Sequence, residues 1–311
     1  MAILFLSEAD ATGAWAAALA RELPDDEVLI GAEAVAVRAA DIDFAVVWSP
    51  PPGLLARLPN LKAILSLGAG VDHVYLDPAL PAGVPVVRLV DPALTEQMAE
   101  WVAMNVLRHH RLMPASAEQQ ARAYWKRHDI PRARDRRVGI MGLGELGRAA
   151  AQALRPFGFP LAAWVRHDRS WPEGEIFAGP EGLGPFLARS DIVVCLLPLT
   201  AETRGVLDAR AFARMPAGGA VINGARGGHV VAADLIAALD SGQVSAATLD
   251  VFTTEPLPAE DPLWRHPRVT VTPHAAAVTL AETAAREIAA NIRRCRAGGA
   301  MVGVVDPSRQ Y

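Results

Sequence analysis

The stretch Val138-Gly139-Ile140-Met141-Gly142-Leu143-Gly144-Glu145-Leu146-Gly147 decides the fold. An apolar run leads straight into G-x-G-x-x-G spacing, and Glu145 and Leu146 open an alanine-rich amphipathic stretch. Gly142 admits a tight turn, Gly144 lets a pyrophosphate approach the backbone, and Gly147 lets helix pack against strand. The start of the helix offers unpaired N–H groups to phosphate. Glycine spacing alone is a weak signal. Strand, helix and a further apolar run at 161–165 supply the context that a dinucleotide-binding βαβ unit requires.

On both sides of this stretch, strand-like apolar runs alternate with helical ones, the pattern of an α/β protein with parallel sheets. Upstream, strands are expected at 3–6, 28–30, 44–47, 63–66 and 86–88, with a helix over 15–21. Downstream they are expected at 138–141, 161–165, 192–196, 220–222, 247–249 and 269–271, followed by a last helix over 280–297. Thr95 is predicted to cap a long helix over 96–111, with acidic residues early and basic residues late as the helix dipole prefers. Pro50-Pro51-Pro52 and Gly68-Ala69-Gly70 follow the third and fourth strands. Ligands gather at the carboxyl ends of strands in open α/β sheets, so both loops are site candidates.

The end of the strand at 161–165 bears on the choice of cofactor. An acidic residue there reads the ribose of NAD, whereas arginine accommodates the 2′-phosphate of NADP. The chain has Arg166-His167-Asp168-Arg169-Ser170, which favours NADP through Arg166, Arg169 and Ser170, although Asp168 could still reach the ribose. Three catalytic candidates follow at successive strand ends. Arg226 lies in Asn223-Gly224-Ala225-Arg226-Gly227-Gly228, where a planar, permanently charged fork suits a carboxylate. Glu255 lies in Asp250-Val251-Phe252-Thr253-Thr254-Glu255-Pro256, and His274 in Thr272-Pro273-His274-Ala275-Ala276. Each alone would more often be structural; the three together on a dinucleotide sheet point to catalysis.

Length and composition bound the rest. At roughly 150 residues per domain, 311 residues suggest two domains. The chain is 51% hydrophobic and 21% charged with a net charge of −4, so it can bury a core and has no positive field for nucleic acid or an anionic membrane. Lys62 and Lys126 are the only lysines, so an arginine informs only through its position. Cys195 and Cys295 form neither a disulfide framework nor a metal cluster, and no metal is expected. The Met1 to Leu6 run lacks a basic leader and meets Glu8 and Asp10, so it is expected to be a strand rather than a signal peptide. No apolar run reaches the 18 or so residues of a membrane span, and a cytoplasmic location is expected.

Taken together, these residues resemble the D-isomer-specific 2-hydroxyacid dehydrogenases along essentially the whole chain. The matching segments are Ser66-Leu67-Gly68-Ala69-Gly70-Val71-Asp72, the glycine loop, Leu197-Pro198-Leu199-Thr200 with Thr203, and the three catalytic motifs. Val47-Trp48, Phe157-Gly158-Phe159-Pro160-Leu161, Ser170-Trp171-Pro172, Pro262-Leu263-Trp264 and the ending Val305-Asp306, Arg309 and Tyr311 are most similar to the glyoxylate/hydroxypyruvate reductase branch.

The resemblance implies two Rossmann-like, doubly wound parallel-sheet domains. A discontinuous substrate domain (residues 1–98 plus 279–311) would carry an inserted cofactor domain (99–278), with the active site in the cleft. It implies NAD(P)-dependent reduction of a small 2-oxo acid and a homodimer built on the long helix and the arm after it. Arg226 would bridge carboxylate and carbonyl, the N–H groups of Ala69, Gly70 and Val71 would complete the carboxylate site, and Trp48 would help close a small pocket. His274 would donate the proton, with Glu255 orienting its ring and stabilising its charged form. Leu197, Pro198, Thr203 and Ala225 would line the cofactor together with His274, and Asp250 would either lie near the nicotinamide amide or cap its strand. Other readings are a D-lactate-type or phosphoglycerate-type dehydrogenase, for which Arg88 could supply extra charge, and a dinucleotide-sensing module without turnover. The complete Arg226, Glu255 and His274 set argues against the sensor.

Overall fold

The computed structural model describes residues 2–7, 13–309 and 311; Met1, Glu8 and Asp10, read above beside the first strand, lie outside the described residues. The chain divides into two compact units, Met1–Leu94 with Thr279–Tyr311, and Thr95–Val278.

In the first unit, β1 (Ala2–Leu6), β2 (Glu27–Ile30), β3 (Ile42–Val47), β4 (Ala63–Ser66) and β5 (Val86–Val87) form a parallel sheet in the order β2-β1-β3-β4-β5. Every residue of β1 and β3 is buried. Parallel strands covered on both faces have no solvent side, which is why they read as nearly continuous apolar runs. The helix Ala281–Arg296 turns Ala284, Ala285, Ile288, Ala289 and Ile292 onto one face of this sheet, against Ile3, Phe5 and Phe44. That face brings the end of the chain back to its beginning. Strand order reverses between β1 and β3, and the loops leaving β3 and β4 carry Trp48 and residues 68–71.

In the second unit, β6 (Val138–Met141), β7 (Leu161–Val165), β8 (Glu175–Ala178), β9 (Ile192–Cys195), β10 (Gly219–Asn223), β11 (Val244–Leu249) and β12 (Val269–Val271) form a parallel sheet in the order β12-β11-β10-β9-β6-β7-β8. The direction of winding reverses between β6 and β9, so the crevice at their carboxyl ends is where this architecture receives a ligand. The glycine loop leaves β6 there and the Leu197-Pro198 turn leaves β9. Sequence reading missed β8, a partly exposed edge strand holding one charged residue, Glu175, and therefore without a long apolar run.

The long helix runs over Pro92–His110. Thr95 is not its cap, contrary to expectation. Asp91 accepts the Ala93 N–H on Oδ1 at 3.0 Å, and Pro92 follows it as the first helical residue. Proline is preorganised for that position and aspartate is a stronger cap than threonine, so the helix starts one turn earlier. A second helix, Met113–Ala121, follows it. No helix among the described residues is long and apolar enough to cross a membrane.

Candidate active site

The glycine loop is shaped by backbone approach. Gly142 has φ +95°, and a Cβ on it would lie 2.9 Å from the Leu196 carbonyl oxygen. A Cβ on Gly147 would lie 2.0 Å from the Gly142 carbonyl oxygen, so only glycine lets the helix pack this close to the turn. The Cβ position of Gly144 faces open space, and the helix Glu145–Leu154 that begins beside it has no side-chain cap on its first N–H groups. An open cradle ahead of uncapped donors fits the pyrophosphate of a dinucleotide.

Beyond β7, Arg166, His167, Asp168, Arg169 and Ser170 are all exposed. Asp168 Oδ1 accepts its neighbour's N–H from Arg169 (2.9 Å), which turns the aspartate back on its own loop. Arg166 Nη2 pairs with Glu202 Oε1 at 3.3 Å. Glu202 was not singled out in the sequence, where nothing marks it as a partner of a residue 36 positions away. In the turn after β9, Thr203 Oγ1 donates to the Pro198 carbonyl at 2.7 Å and accepts the Thr200 N–H at 2.8 Å. Leu197 is half-buried beside it.

Three strand ends bring the catalytic candidates together. After β10, the fully buried Asn223 staples its loop: Nδ2 donates to the Arg226 carbonyl (2.9 Å), and Oδ1 accepts from the Ala225 N–H (3.2 Å). Arg226 is half-buried, its Nη1 donating to the Ala225 carbonyl at 2.8 Å. A Cβ on Gly227 would lie 2.0 Å from the Phe252 carbonyl carbon, so this loop and the one after β11 touch backbone to backbone.

After β11, Glu255 Oε1 accepts the Phe252 N–H at 2.8 Å, while Oε2 lies 2.7 Å from His274 Nδ1. Burial raises the Glu255 pKa, but the bonds from His274 and the Phe252 N–H, with the nearby charges of His274 and Arg226, outweigh it and hold the carboxyl below its ordinary 4.5. An ionised carboxylate only accepts hydrogen bonds, so Nδ1 carries the proton facing it. His274 Nε2 has no hydrogen-bond partner among the described residues.

His274 has φ +52°, a left-handed conformation that a histidine keeps only when its surroundings hold it there. Asp250, 1% exposed, holds it. Its Oδ1 accepts from Thr272 Oγ1 (2.5 Å) and the Ala275 N–H (2.9 Å), its Oδ2 from the Ala276 N–H (2.9 Å), and its carbonyl from the His274 N–H (2.8 Å). The carboxylate therefore caps the turn that presents the histidine. His109, by contrast, is a core histidine: Nε2 lies 2.9 Å from Thr248 Oγ1, and burial, then Arg108, pushes its pKa down to about 4.

In the first unit, Ser66 folds the loop after β4, accepting from the Gly68 N–H (3.2 Å) and donating to the Gly70 carbonyl (3.1 Å). The N–H groups of Ala69, Gly70 and Val71 make no hydrogen bond among the described residues. Consecutive unclaimed amides form an anion-binding concavity. Trp48 packs over this loop: a Cβ on Gly68 would meet its ring at 2.6 Å, and its centroid lies 4.2 Å from that of His73. Asn223 and Ser66 were not recognised as loop staples; the available signal is a polar residue ending an otherwise apolar strand. Among the described residues no group of three or more His, Cys, Asp or Glu is placed to hold a metal ion.

A dinucleotide cradle at the switch point of a doubly wound sheet, with arginine, glutamate and histidine at neighbouring strand ends, defines an NAD(P)-dependent oxidoreductase. The family profile "D-isomer specific 2-hydroxyacid dehydrogenase, NAD binding domain" matches residues 103–276. Glyoxylate/hydroxypyruvate reductase A of Yersinia enterocolitica is 44% identical over 276 residues, 86% of this chain and 88% of that protein. The Klebsiella pneumoniae (strain 342) protein of the same name is 41% identical over all of both chains. Among solved structures, a D-isomer specific 2-hydroxyacid dehydrogenase from Xanthobacter autotrophicus Py2, in complex with NADPH and MES, superposes with a TM-score of 0.95 at 43% identity, covering 100% of this chain and 99% of that one. An NADPH-dependent glyoxylate/hydroxypyruvate reductase from Sinorhizobium meliloti, in complex with NADP and sulfate, gives 0.93 at 39% identity with both chains fully covered. The chain belongs to the D-isomer-specific 2-hydroxyacid dehydrogenase family and is an NAD(P)-dependent enzyme of it. Within the family it is a homologue of glyoxylate/hydroxypyruvate reductase A.

Proposed function

We propose that this enzyme reduces small 2-oxo acids, glyoxylate and hydroxypyruvate, to the corresponding 2-hydroxy acids with NADPH. The observation that carries the reading is the Glu255–His274 pair, 2.7 Å apart, with Nε2 open and Arg226 close enough to act on the same carboxylate. A bound NADPH supplies the hydride. Arg226 holds the substrate carboxylate and polarises the carbonyl oxygen; in the first unit, the unclaimed N–H groups of Ala69, Gly70 and Val71 suit an anion. His274 Nε2 gives its proton to that oxygen as negative charge develops there, and solvent later restores it. Glu255 keeps the ring oriented and compensates its charge. Trp48, packed on Gly68 and His73, covers the loop that carries those N–H groups.

Arg166, with Arg169 and Ser170, reads the 2′-phosphate, which the relatives crystallised with NADPH and NADP support. Leu197, Pro198, Thr203, Ala225 and Asp250 belong to the same cofactor site. The enzyme acts as a homodimer through the helix Pro92–His110 and the arm beyond it, a reading supported by the exposed Met104 on the helix and by the exposed Met113, Tyr124 and Trp125 (96%) after it. The test is the initial rate of NADPH oxidation with each acid, with NADH in parallel. Fast turnover preferring NADPH is expected; a protein that binds NADPH and reduces neither acid overturns the substrate assignment.

A further inference from the structure

His229 ends the short turn Gly227–His229 three residues after Arg226, and it is fully buried. Its ring lies between two carbonyl oxygens: Arg226 O is 3.0 Å from Nδ1, and Pro198 O is 3.2 Å from Nε2. Neither oxygen depends on the ring for satisfaction. Pro198 O already accepts from Thr203 Oγ1, and Arg226 O from Asn223 Nδ2 and from the backbone N–H of His229 itself. A neutral imidazole has one N–H. Its bare nitrogen would then set a lone pair against a carbonyl lone pair at 3.0 or 3.2 Å, too close for a water to come between them, whereas a ring protonated on both nitrogens donates to each.

We propose that His229 is a positioning residue, a doubly protonated ring that ties the backbone of Arg226 to the Leu197-Pro198 turn. One tie fixes the peptide from which the Arg226 guanidinium projects; the other fixes the turn leaving β9, so the arginine loop and the cofactor-side turn hold one register. Burial opposes charge on the ring, but Cys195 at the end of β9, through its charge when ionised and its side-chain hydrogen bond, followed by the hydrogen bonds to the Pro198 and Arg226 carbonyls, outweighs it and holds the pKa above its ordinary 6.5. The proposal rests on the reading of Arg226 as the substrate arginine.

Two measurements test it. The first is the ¹⁵N spectrum of the imidazoles of the wild-type protein at pH 7, with His229 assigned by the signals lost in His229→Gln. Two protonated nitrogens with slowly exchanging protons are expected; a single protonated nitrogen overturns the proposal. The second is steady-state kinetics of His229→Gln, its fold checked by circular dichroism and its NADPH affinity by titration. The kcat/KM for glyoxylate is expected to fall about tenfold, the scale of one lost charge-assisted hydrogen bond, mostly through KM, and NADPH affinity is expected to weaken with it as the Leu197-Pro198 turn loosens. An unchanged KM overturns the positioning role. A wild-type enzyme inactive on both oxo acids would overturn the substrate reading instead, and the ¹⁵N spectrum would still decide whether the ring is the charged tie.

Discussion

Asp250 holds His274 directly and through its neighbours: the His274 N–H donates to the Asp250 carbonyl at 2.8 Å, and the Asp250 carboxylate accepts the N–H groups of Ala275 and Ala276, each at 2.9 Å. Thr272 Oγ1 is a further donor to the same carboxylate, at 2.5 Å. The left-handed histidine is thus held by its backbone from one side and by Glu255 from the other. Asp250→Asn would place an amide NH₂ where backbone N–H groups already donate. We expect a loss of about 1–3 kcal/mol in stability, the cost of mispairing a buried polar group. In a chain of this length that lowers the melting temperature by several degrees, and kcat should fall with it as the histidine turn loosens. Differential scanning calorimetry with parallel kinetics checks both, and wild-type values for the variant would remove the capping role.

His274→Asn keeps a polar side chain but removes the proton donor. The kcat is expected to drop about 10²–10⁴-fold, the usual worth of a positioned general acid. NADPH should still bind, since the glycine loop is untouched; fluorescence titration of the cofactor beside stopped-flow kinetics separates the two. Near-normal turnover would show that the proton comes from elsewhere.

Arg226→Lys retains the charge and loses the planar fork. Because an ammonium cannot hold carboxylate and carbonyl oxygen together, KM should rise and kcat should fall, with kcat/KM reduced at least about a hundredfold. An unaltered kcat/KM would put the substrate elsewhere.

Arg166→Asp reverses the charge at the end of β7. The preference for NADPH over NADH should move toward NADH by about 1–3 kcal/mol, the scale of a charge-assisted contact. The ratio of kcat/KM values for the two cofactors measures it. A wild-type enzyme that already favours NADH would contradict the assignment directly.

Glu255 has a depressed pKa, so its ionised form adds stability above the ordinary carboxyl value of 4.5, and that contribution disappears as pH falls through the lower folded-state value. Melting curves of wild type and Glu255→Gln from pH 7 to pH 3 should therefore differ most at the neutral end and converge below about 4.5. Curves that stay parallel across the whole range would show that the His274–Glu255 bond contributes nothing ionic to the fold.

Much of this candidate site is legible in the sequence, and for definite reasons. Arg226, Glu255 and His274 stand at strand ends because parallel α/β sheets put ligands there, and apolar runs flanked by glycine or proline mark strand ends in a sequence. The glycine loop was legible because backbone closeness to a phosphate and to a helix leaves only one residue type possible. Thr95 was misjudged because capping is a competition, and Asp91 with Pro92 outcompetes it one turn earlier. β8 was missed because an edge strand needs only one apolar face.

The sequence by itself determined the fold class, the dinucleotide loop and the identity of the three candidate catalytic residues, since all three rest on local patterns: period, spacing and the conformational needs of glycine. Tertiary structure alone decided which groups meet. Arg166 meets Glu202, and His229 lies between Pro198 and Arg226. Those pairings join residues from separate loops or strand ends, and hydrogen bonds form by distance and direction in space. Only the winding of the sheet, which sets β10, β9, β6 and β7 side by side, brings those ends within hydrogen-bonding reach.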